Sequence, residues 1–371
     1  MELSIVIVHY RVQEFLWLCL SSLQEACRSI SYEIIIVDND PQFQSKAFIG
    51  DQFTNLHWIL NKENLGFARA NNQGVAMAKG EYVLILNPDT VVSETNLQNA
   101  LKYARQKKEF GAIGIRMIDG TGQFLPESKR NIPTPLIAFN KILGKDKSYY
   151  ANHLHERQIG EVGVLPGAFM LFLKSVYGDV GGFDEDYFMF GEDIDLCYRL
   201  RQKGYQNYYF GKSVAIHFKG ECTRKDASYY HNFYGALQIY FKKHYPEKRI
   251  LLRLNHILVS TLIVLRTTAK IKTAESIKKE SILFFGERSK RSEELRIRLS
   301  AKKWEYISKT EEINGTYDIL ILDQGFLDFD QILSLYSQDN FKILPKRILS
   351  KDKNICLGSD DSKRAGDVLI W

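Results

Sequence analysis

The hydrophobic pattern of the chain changes period along its length, and each change marks an element. Leu3–Val8 is a continuous apolar run followed by His9, Tyr10 and Arg11. Such runs read as strands buried on both faces of a parallel sheet. Over Gln13–Ile30 the period becomes helical, with Phe15, Leu16, Leu18, Cys19, Leu23 and Ala26 on one side. A second run, Glu33–Val37, ends in Asp38-Asn39-Asp40-Pro41. Strand, helix and strand joined by a short crossover form a βαβ unit, so the sheet begins parallel. A third run, Leu56–Leu60, passes through Glu63-Asn64-Leu65-Gly66 into a helix over Phe67–Ala78, with Gly80 as its stop. The fourth, Tyr82–Leu86, is halted by Asn87-Pro88-Asp89, because proline cannot continue a central strand.

Asp89 therefore lies just past the carboxyl end of a buried strand, where open α/β sheets place ligands. As an aspartate before Thr90 it could equally cap a following helix. Arg69, with Asn71 and Asn72, opens the second helix, over Phe67–Ala78, and forms either an anion site or a solvated helix start. The pattern continues with a helix over Thr95–Lys107 and a strand over Gly111–Met117. Residues 118–160 lose periodicity, with Pro126, Pro133 and Pro135 and a polar run at Tyr149–Arg157, as expected of a functional loop or a cover. Val162–Leu173 reads as one strand, and Gly167-Ala168 within it either leaves room for a ligand or marks a bulge.

Gly181–Tyr205 is the most informative stretch. An aromatic loop (Phe183, Tyr187, Phe188, Phe190) leads into Glu192-Asp193-Ile194-Asp195 at the start of a helix, with Arg199, Arg201 and Lys203 at its end and Gly204 as its cap. Acids first and bases last suit the helix dipole. A carboxylate flanked by aromatic rings is also how a general base is held with a tuned pKa. A strand over Tyr205–Ile216 then ends at His217.

Composition narrows the reading. A chain of 371 residues suits two domains or one large domain with an appendage. Its net charge of +6 is modest, and basic residues gather after about residue 242, which fits an anionic surface better than a nucleic-acid groove. Cys19, Cys27, Cys197, Cys222 and Cys356 form no Cys-x-x-Cys pair, which points to a reducing compartment without a zinc site. The N-terminus lacks a basic segment and a cleavage site and reads as a strand, not a signal peptide. Neither Gly-x-Gly-x-x-Gly nor a P-loop is present.

Taken in order, VIVHYR at 6–11, IIIVDND at 34–40, NKENLGFARANNQG at 61–74, LILNPDT at 84–90, GAFMLF at 167–172, the 181–205 block and His217 resemble the inverting family 2 glycosyltransferases of GT-A fold. Within that family the likeness is to the rhamnosyltransferase-like branch of bacterial polysaccharide and O-antigen assembly, and it covers about residues 1–240. The resemblance implies an α/β fold with a Rossmann-like, mainly parallel central sheet. It implies a nucleotide site at His9, Tyr10, Asp38, Asn64, Arg69 and Asn87, with Asp38 reading the base of the sugar nucleotide. It makes Asp89 and His217 ligands of a divalent metal, Mg²⁺ or Mn²⁺, with Asn87 in the place of the first acid of the family's Asp-x-Asp element. Asp193 becomes the catalytic base, and Gly167, Ala168, Phe190 and Glu192 border the acceptor. The donor is then a nucleoside-diphosphate sugar, dTDP- or UDP-linked with rhamnose foremost, and the acceptor a glycan or polyprenyl-linked hydroxyl. The expected location is the cytoplasm, with peripheral contact at the inner membrane and no nucleic-acid partner. Two other readings stand beside it: an inactive sugar-nucleotide-binding scaffold, and a nucleotidyltransferase. The second wants a glycine-rich basic loop that VHYRVQEF does not supply.

The expected division is a catalytic domain at 1–245, a basic helical linker at 246–278 and a small α/β domain at 279–371. Ile250–Leu265 is too short an apolar run to span a bilayer. With the surrounding Lys242, Lys243, Lys248, Arg249, Arg253, Arg266, Lys270 and Lys272, it either lies on an anionic membrane or packs between domains. The last domain is expected to hold a strand over Ser281–Gly286, a helix over Ser289–Leu299, a strand over Tyr317–Leu322, a helix over Asp328–Tyr336 and short strands near 341–344 and 353–357. Asp323, Asp360, Asp361 and Asp367 read as turn residues.

Overall fold

The computed structural model describes residues 1–42, 45–107, 109–142, 144–220, 227–247, 280–310, 316–338, 344–360 and 366–371. The first part of the chain runs β1 (Leu3–His9), α1 (Gln13–Ala26), β2 (Tyr32–Asp38), α2 (Ser45–Ile49), β3 (Leu56–Leu60), α3 (Phe67–Met77), β4 (Tyr82–Leu86), β5 (Thr90–Val91) and α4 (Glu94–Arg105). It continues with β6 (Ile113–Ile118), α5 (Pro135–Ile142), β7 (Ile159–Val162), β8 (Phe169–Leu173), α6 (Lys174–Asp179), α7 (Glu192–Gln202), β9 (Asn207–His217) and α8 (Ala227–His244). The sheet order is β3-β2-β1-β4-β8-β6-β9-β5, with β7 also on β9. Strands β1 to β4 are mutually parallel where they pair, as are β6 and β9, while β8 runs antiparallel between β4 and β6.

The uninterrupted apolar strands follow from the layering. Ile5, Ile7, Ile34, Ile36, Leu84 and Leu86 face α1 and α4, whereas Val6, Ile35, Val37, Val83 and Ile85 face α3, α7 and α8. With helices over both faces, every strand position is buried and the period-2 polar signal disappears. Two local expectations change. The single strand over Val162–Leu173 is two, because Pro166 and Gly167 interrupt the chain between β7, which pairs with β9, and β8, which pairs with β4 and β6. Gly80 does not stop α3, which ends at Met77; it lies against β1, where a Cβ would come 2.5 Å from the Ser4 nitrogen. Gly204 does take the left-handed conformation after α7, at φ 92°.

A second sheet is built from β10 (Ser281–Phe285), β11 (Lys303–Ile307), β12 (Ile319–Asp323), β13 (Lys346–Leu349), β14 (Ile355–Gly358) and β15 (Asp367–Ile370), in the order β11-β10-β12-β13-β14-β15. Two helices, α9 (Lys290–Leu299) and α10 (Phe329–Ser337), accompany it, each opened by a reciprocal capping box at Ser289 or Asp328. Asp367 is not a turn residue: it opens β15, and with Asp360 it holds the buried Arg347 guanidinium. Asp323 ends β12, largely buried against Arg291, and Asp361 falls outside the described residues. The strand expected near 341–344 falls largely outside the described residues, β13 follows at Lys346–Leu349, and β11 and β15 were not anticipated. This unit packs on α1 and α4 and shares their hydrophobic core, with Phe329, Ile332, Leu333 and Tyr336 buried there. Trp17 Nε1 donates to Ser350 Oγ at 3.2 Å, Ser93 Oγ to Asp330 at 2.6 Å, and the Phe329 N–H to Glu25 at 3.0 Å.

The basic apolar stretch at 250–270 lies outside the described residues. Among those described, no helix is long and apolar enough to cross a membrane.

Candidate functional site

The carboxyl ends of β1 and β2 carry His9 and Asp38 side by side. His9 is fully buried; its Nε2 accepts the Val12 N–H at 3.2 Å, so Nδ1 holds the ring proton and donates to Asp38 Oδ1 at 3.1 Å. That oxygen also accepts the Asp40 N–H, while Asp38 Oδ2 is buried with no partner. An unsatisfied buried acceptor is costly unless a ligand donates to it. His9 thus orients the carboxylate and has no surface of its own to offer. Tyr10 is half-buried beneath the Arg11 guanidinium, 4.9 Å from its ring centroid, and Arg11 Nε holds Asp40 at 2.9 Å.

Asn64 Oδ1 accepts from the Gly66 N–H and from Asn39, fixing the loop that enters α3. The Phe67 N–H then donates to the carbonyl of Phe188 at 2.7 Å, which seats the aromatic loop on this one. Arg69 is exposed and pairs with Glu185 at 3.1 Å, so contact with a pyrophosphate requires it to leave that carboxylate.

Asp89 does not cap a helix. The chain passes from it into β5, which pairs with β9 so that Thr90 lies opposite His217, and α4 begins later, after Ser93. Asp89 Oδ1 lies 3.4 Å from His217 Nε2, yet is buried and unbonded. The Asn87 amide Nδ2 lies 3.3 Å from the same Nε2. With Asn87 donating there, the ring nitrogen turns a lone pair toward a carboxylate oxygen. That opposition is relieved by a cation between them, and a carboxylate, an imidazole and an amide oxygen are suitable donors for one. Among the described residues no group of three His, Cys, Asp or Glu is placed to hold a metal ion by itself. A metal here would share its coordination with ligand oxygens, as Mg²⁺ commonly does with phosphates.

Asp193 stands in the first turn of α7, after Gly191 at φ 79°. Its Oδ1 accepts the Ile194 N–H and its Oδ2 accepts from Arg130 Nη2 at 2.5 Å. Burial opposes the charge on Arg130, but the Asp193 carboxylate more than offsets this, and the guanidinium is held above its ordinary value. Gly167 adjoins both sides of the site: a Cβ there would lie 3.0 Å from the Phe67 ring and 4.0 Å from Asp193 Cβ. The carbonyl of Ala168 accepts the Asn87 N–H, coupling this strand to the Asp89 loop. Glu192 is buried with Oε2 unbonded, and burial together with the Asp193 charge pushes its carboxyl up to about 8. Phe190 packs edge-on against Tyr229 and Phe233 of α8. The third acid, Asp195, is fully buried and bonded to Arg199, Lys243 and His244. It ties α7 to α8 and is spent on structure.

Arg130 was not foreseen. It lies in the aperiodic 118–160 stretch, which is pinned at this point by paired bonds between Arg130 and Val164. The basic dipeptide Lys129-Arg130 was the one signal available for it.

Residues 4–181 match the family model described as glycosyl transferase family 2. Over 243 residues the chain is 28% identical to the N-acetylglucosaminyl-diphospho-decaprenol L-rhamnosyltransferase of Mycobacterium tuberculosis, covering 60% of this chain and 78% of that one. It is 30% identical over 201 residues to the rhamnosyltransferase WbbL of Escherichia coli, covering 50% of this chain and 73% of that one. Among solved structures, a mannosyltransferase from Pyrobaculum calidifontis aligns at 16% identity and a TM-score of 0.46, over 72% of each chain.

Proposed function

The chain belongs to the family 2 glycosyltransferases, and on that premise we propose that it moves a deoxyhexose, rhamnose foremost, from a nucleoside diphosphate to a hydroxyl of a glycan or polyprenyl-linked acceptor. The setting is cell-surface polysaccharide assembly at the cytoplasmic face of the membrane. The names of the two rhamnosyltransferases support the sugar. The observation that carries the reading is the unbonded pair of acceptors, Asp38 Oδ2 and Asp89 Oδ1, buried one at and one just past the carboxyl end of a parallel strand.

In this reading Asp38 accepts from the nucleotide base, its free oxygen aimed by His9. Asp89 and His217, with Asn87 beside them, would hold a divalent cation. Bound there, Mg²⁺ or Mn²⁺ supplies neutralisation of the leaving diphosphate. Asp193 takes the proton from the acceptor hydroxyl. The acceptor oxygen forms a bond to the anomeric carbon as the bond from that carbon to the diphosphate oxygen breaks, and the nucleoside diphosphate departs. One displacement inverts the configuration, so no carboxylate needs to form a glycosyl–enzyme. Arg130 keeps Asp193 turned toward the acceptor, and Glu192, uncharged near neutrality, can donate to it.

A thermal-shift series with dTDP, UDP and their sugars, with and without Mn²⁺, tests the reading, since a ligand that binds the folded state alone raises Tm. A metal-dependent shift that Asp89→Ala removes is expected. Asp193→Asn should keep the shift and lose transfer by about 10²–10⁴-fold, the contribution of a positioned base. Transfer near the wild-type rate in Asp193→Asn would refute the base, and no shift with any nucleotide would refute the donor class.

A further inference from the structure

The second sheet has a carboxyl edge of its own, and the first unit closes over it. Strands β12 and β13 run parallel, and the chain leaves them at Gln324 and at Ser350-Lys351-Asp352. Open α/β sheets receive ligands at such an edge. A cleft of about 690 Å³ lies between this edge and the first unit, within the roughly 300–1,000 Å³ of small-molecule sites. One wall is α1, where Ser21, Glu25 and Arg28 follow Trp17 along a single face. Gln52 and Phe53, just ahead of β3, form a second wall, and Lys351 with Asp352 a third. The transfer centre is remote. Ser21 lies about 12 Å and Glu25 about 18 Å down α1 from Gln13, toward the end away from His9 and Asp38.

Two buried polar side chains here lack partners among the described residues. Ser21 is 3% exposed, and its Oγ, on the cleft wall, makes no hydrogen bond. Gln324 is 5% exposed; its Oε1 accepts the Lys351 N–H at 3.2 Å, while Nε2 has no acceptor. Each is costly unless a ligand completes it. The charges of the cleft are balanced and loosely held. Glu25 Oε1 accepts the Phe329 N–H, but Oε2 stands 3.7 Å from Arg28 and 3.9 Å from Lys351, beyond hydrogen-bond reach of either. With Asp352, two cations meet two carboxylates. A phosphate would have to draw both cations from Glu25, and a cationic ligand would have to displace them. A hydroxyl does neither, since it donates to Glu25 Oε2 and accepts from the guanidinium or the ammonium. Gln24 and Gln52 add amides that both donate and accept. Phe53, edge-on to Trp17 at 4.9 Å between centroids, supplies an apolar wall for the C–H face of a ring.

We propose that this cleft is a separate saccharide site, which holds a neutral oligosaccharide at the junction of the two units and does not extend it. Its lining residues are distinct from Asp38, Asp89, Asp193 and their partners, so the inference goes beyond the transfer reading and stands without it. Because the walls come from both units, an occupied cleft ties the second sheet to α1.

The test follows hydrogen–deuterium exchange across the whole protein, with and without saturating UDP. Maltotriose, cellotriose and N,N′-diacetylchitobiose serve as neutral probes, inorganic phosphate as an anion and glycylglycine as a zwitterion. The expected result is that a saccharide slows exchange at 21–28 and at 350–353, and that UDP leaves this protection in place. Its concentration dependence should weaken by about ten- to a hundredfold in Arg28→Met and about two- to tenfold in Ser21→Ala, the sizes of a lost charged and a lost neutral hydrogen bond. An unchanged Tm without ligand reports that each variant is folded. Protection by phosphate alone or by glycylglycine alone overturns the ligand class. Protection that UDP removes puts the saccharide at the transfer centre and overturns the separate site, as does equal saccharide affinity in wild type and both variants. No protection by any saccharide at its solubility limit leaves the cleft to solvent and overturns the proposal outright. Failure of UDP to slow exchange around Asp38 would sink the donor reading alone, since the cleft is read from other segments of the same protein.

Discussion

Three acids open α7, and their surroundings divide them. Asp195 is saturated by Arg199, Lys243 and His244 and held down at about 2, burial notwithstanding, whereas Glu192 has a free buried oxygen and is pushed up to about 8. The pH consequence for Glu192 has a definite sign. A carboxyl whose folded pKa exceeds its unfolded value near 4.5 binds more protons in the folded state. Stability therefore falls as pH rises through the window from about 4.5 to about 8. Glu192→Gln mimics the protonated side chain and does not titrate. Its Tm should match wild type near pH 5 and exceed it increasingly toward pH 8; parallel Tm curves for the two proteins would show that Glu192 is charged throughout.

At the scale of elements, the site depends on a few backbone contacts that admit no side chain. Gly66 has φ 81°, and a Cβ on it would lie 2.3 Å from the Phe188 carbonyl oxygen that also receives the Phe67 N–H. Gly66→Ala should therefore part the loop that enters α3 from the aromatic loop. The expected loss is about 2–4 kcal/mol, from left-handed strain plus the displaced bond. Gly50→Ala is the control, with φ 68° but open space around it, and should cost only about 1–2 kcal/mol. Equal losses in chemical denaturation would mean that the contact with Phe188 is not maintained. The contrast also bears on what could be read from sequence. The rim positions Asp38, Asn87 and Asp89 were legible because an apolar run ended at each, and Glu192-Asp193 because an aromatic loop gave way to a helical period. Arg130 is brought to Asp193 through β-bridges between distant segments, which leave no period in the sequence. Asp367 was misread for a related reason: a polar residue at the start of an edge strand has the same local signature as a turn.

At the scale of the whole molecule, the second sheet is joined to the first by polar contacts as well as by core. Lys346 is buried and donates to the Thr121 carbonyl at 2.5 Å, across the junction. Burial lowers its ammonium to about 7. The folded state then binds fewer protons than the unfolded state between about 7 and 10.5, so this group adds stability as pH rises through that window, and its penalty is complete below it. Lys346→Met should flatten the rise in Tm between pH 7 and 10. An unchanged slope would assign the rise to other groups.

The junction has a consequence during synthesis. The ribosome releases the transferase half first, with Trp17, Leu97 and Leu101 on a face whose cover includes Phe329, Ile332 and Tyr336, encoded more than two hundred codons downstream. At about 5–20 residues per second that face waits uncovered for on the order of ten seconds or more. An early stop codon would be expected to leave that apolar face bare and to yield a sticky fragment in place of a shorter enzyme.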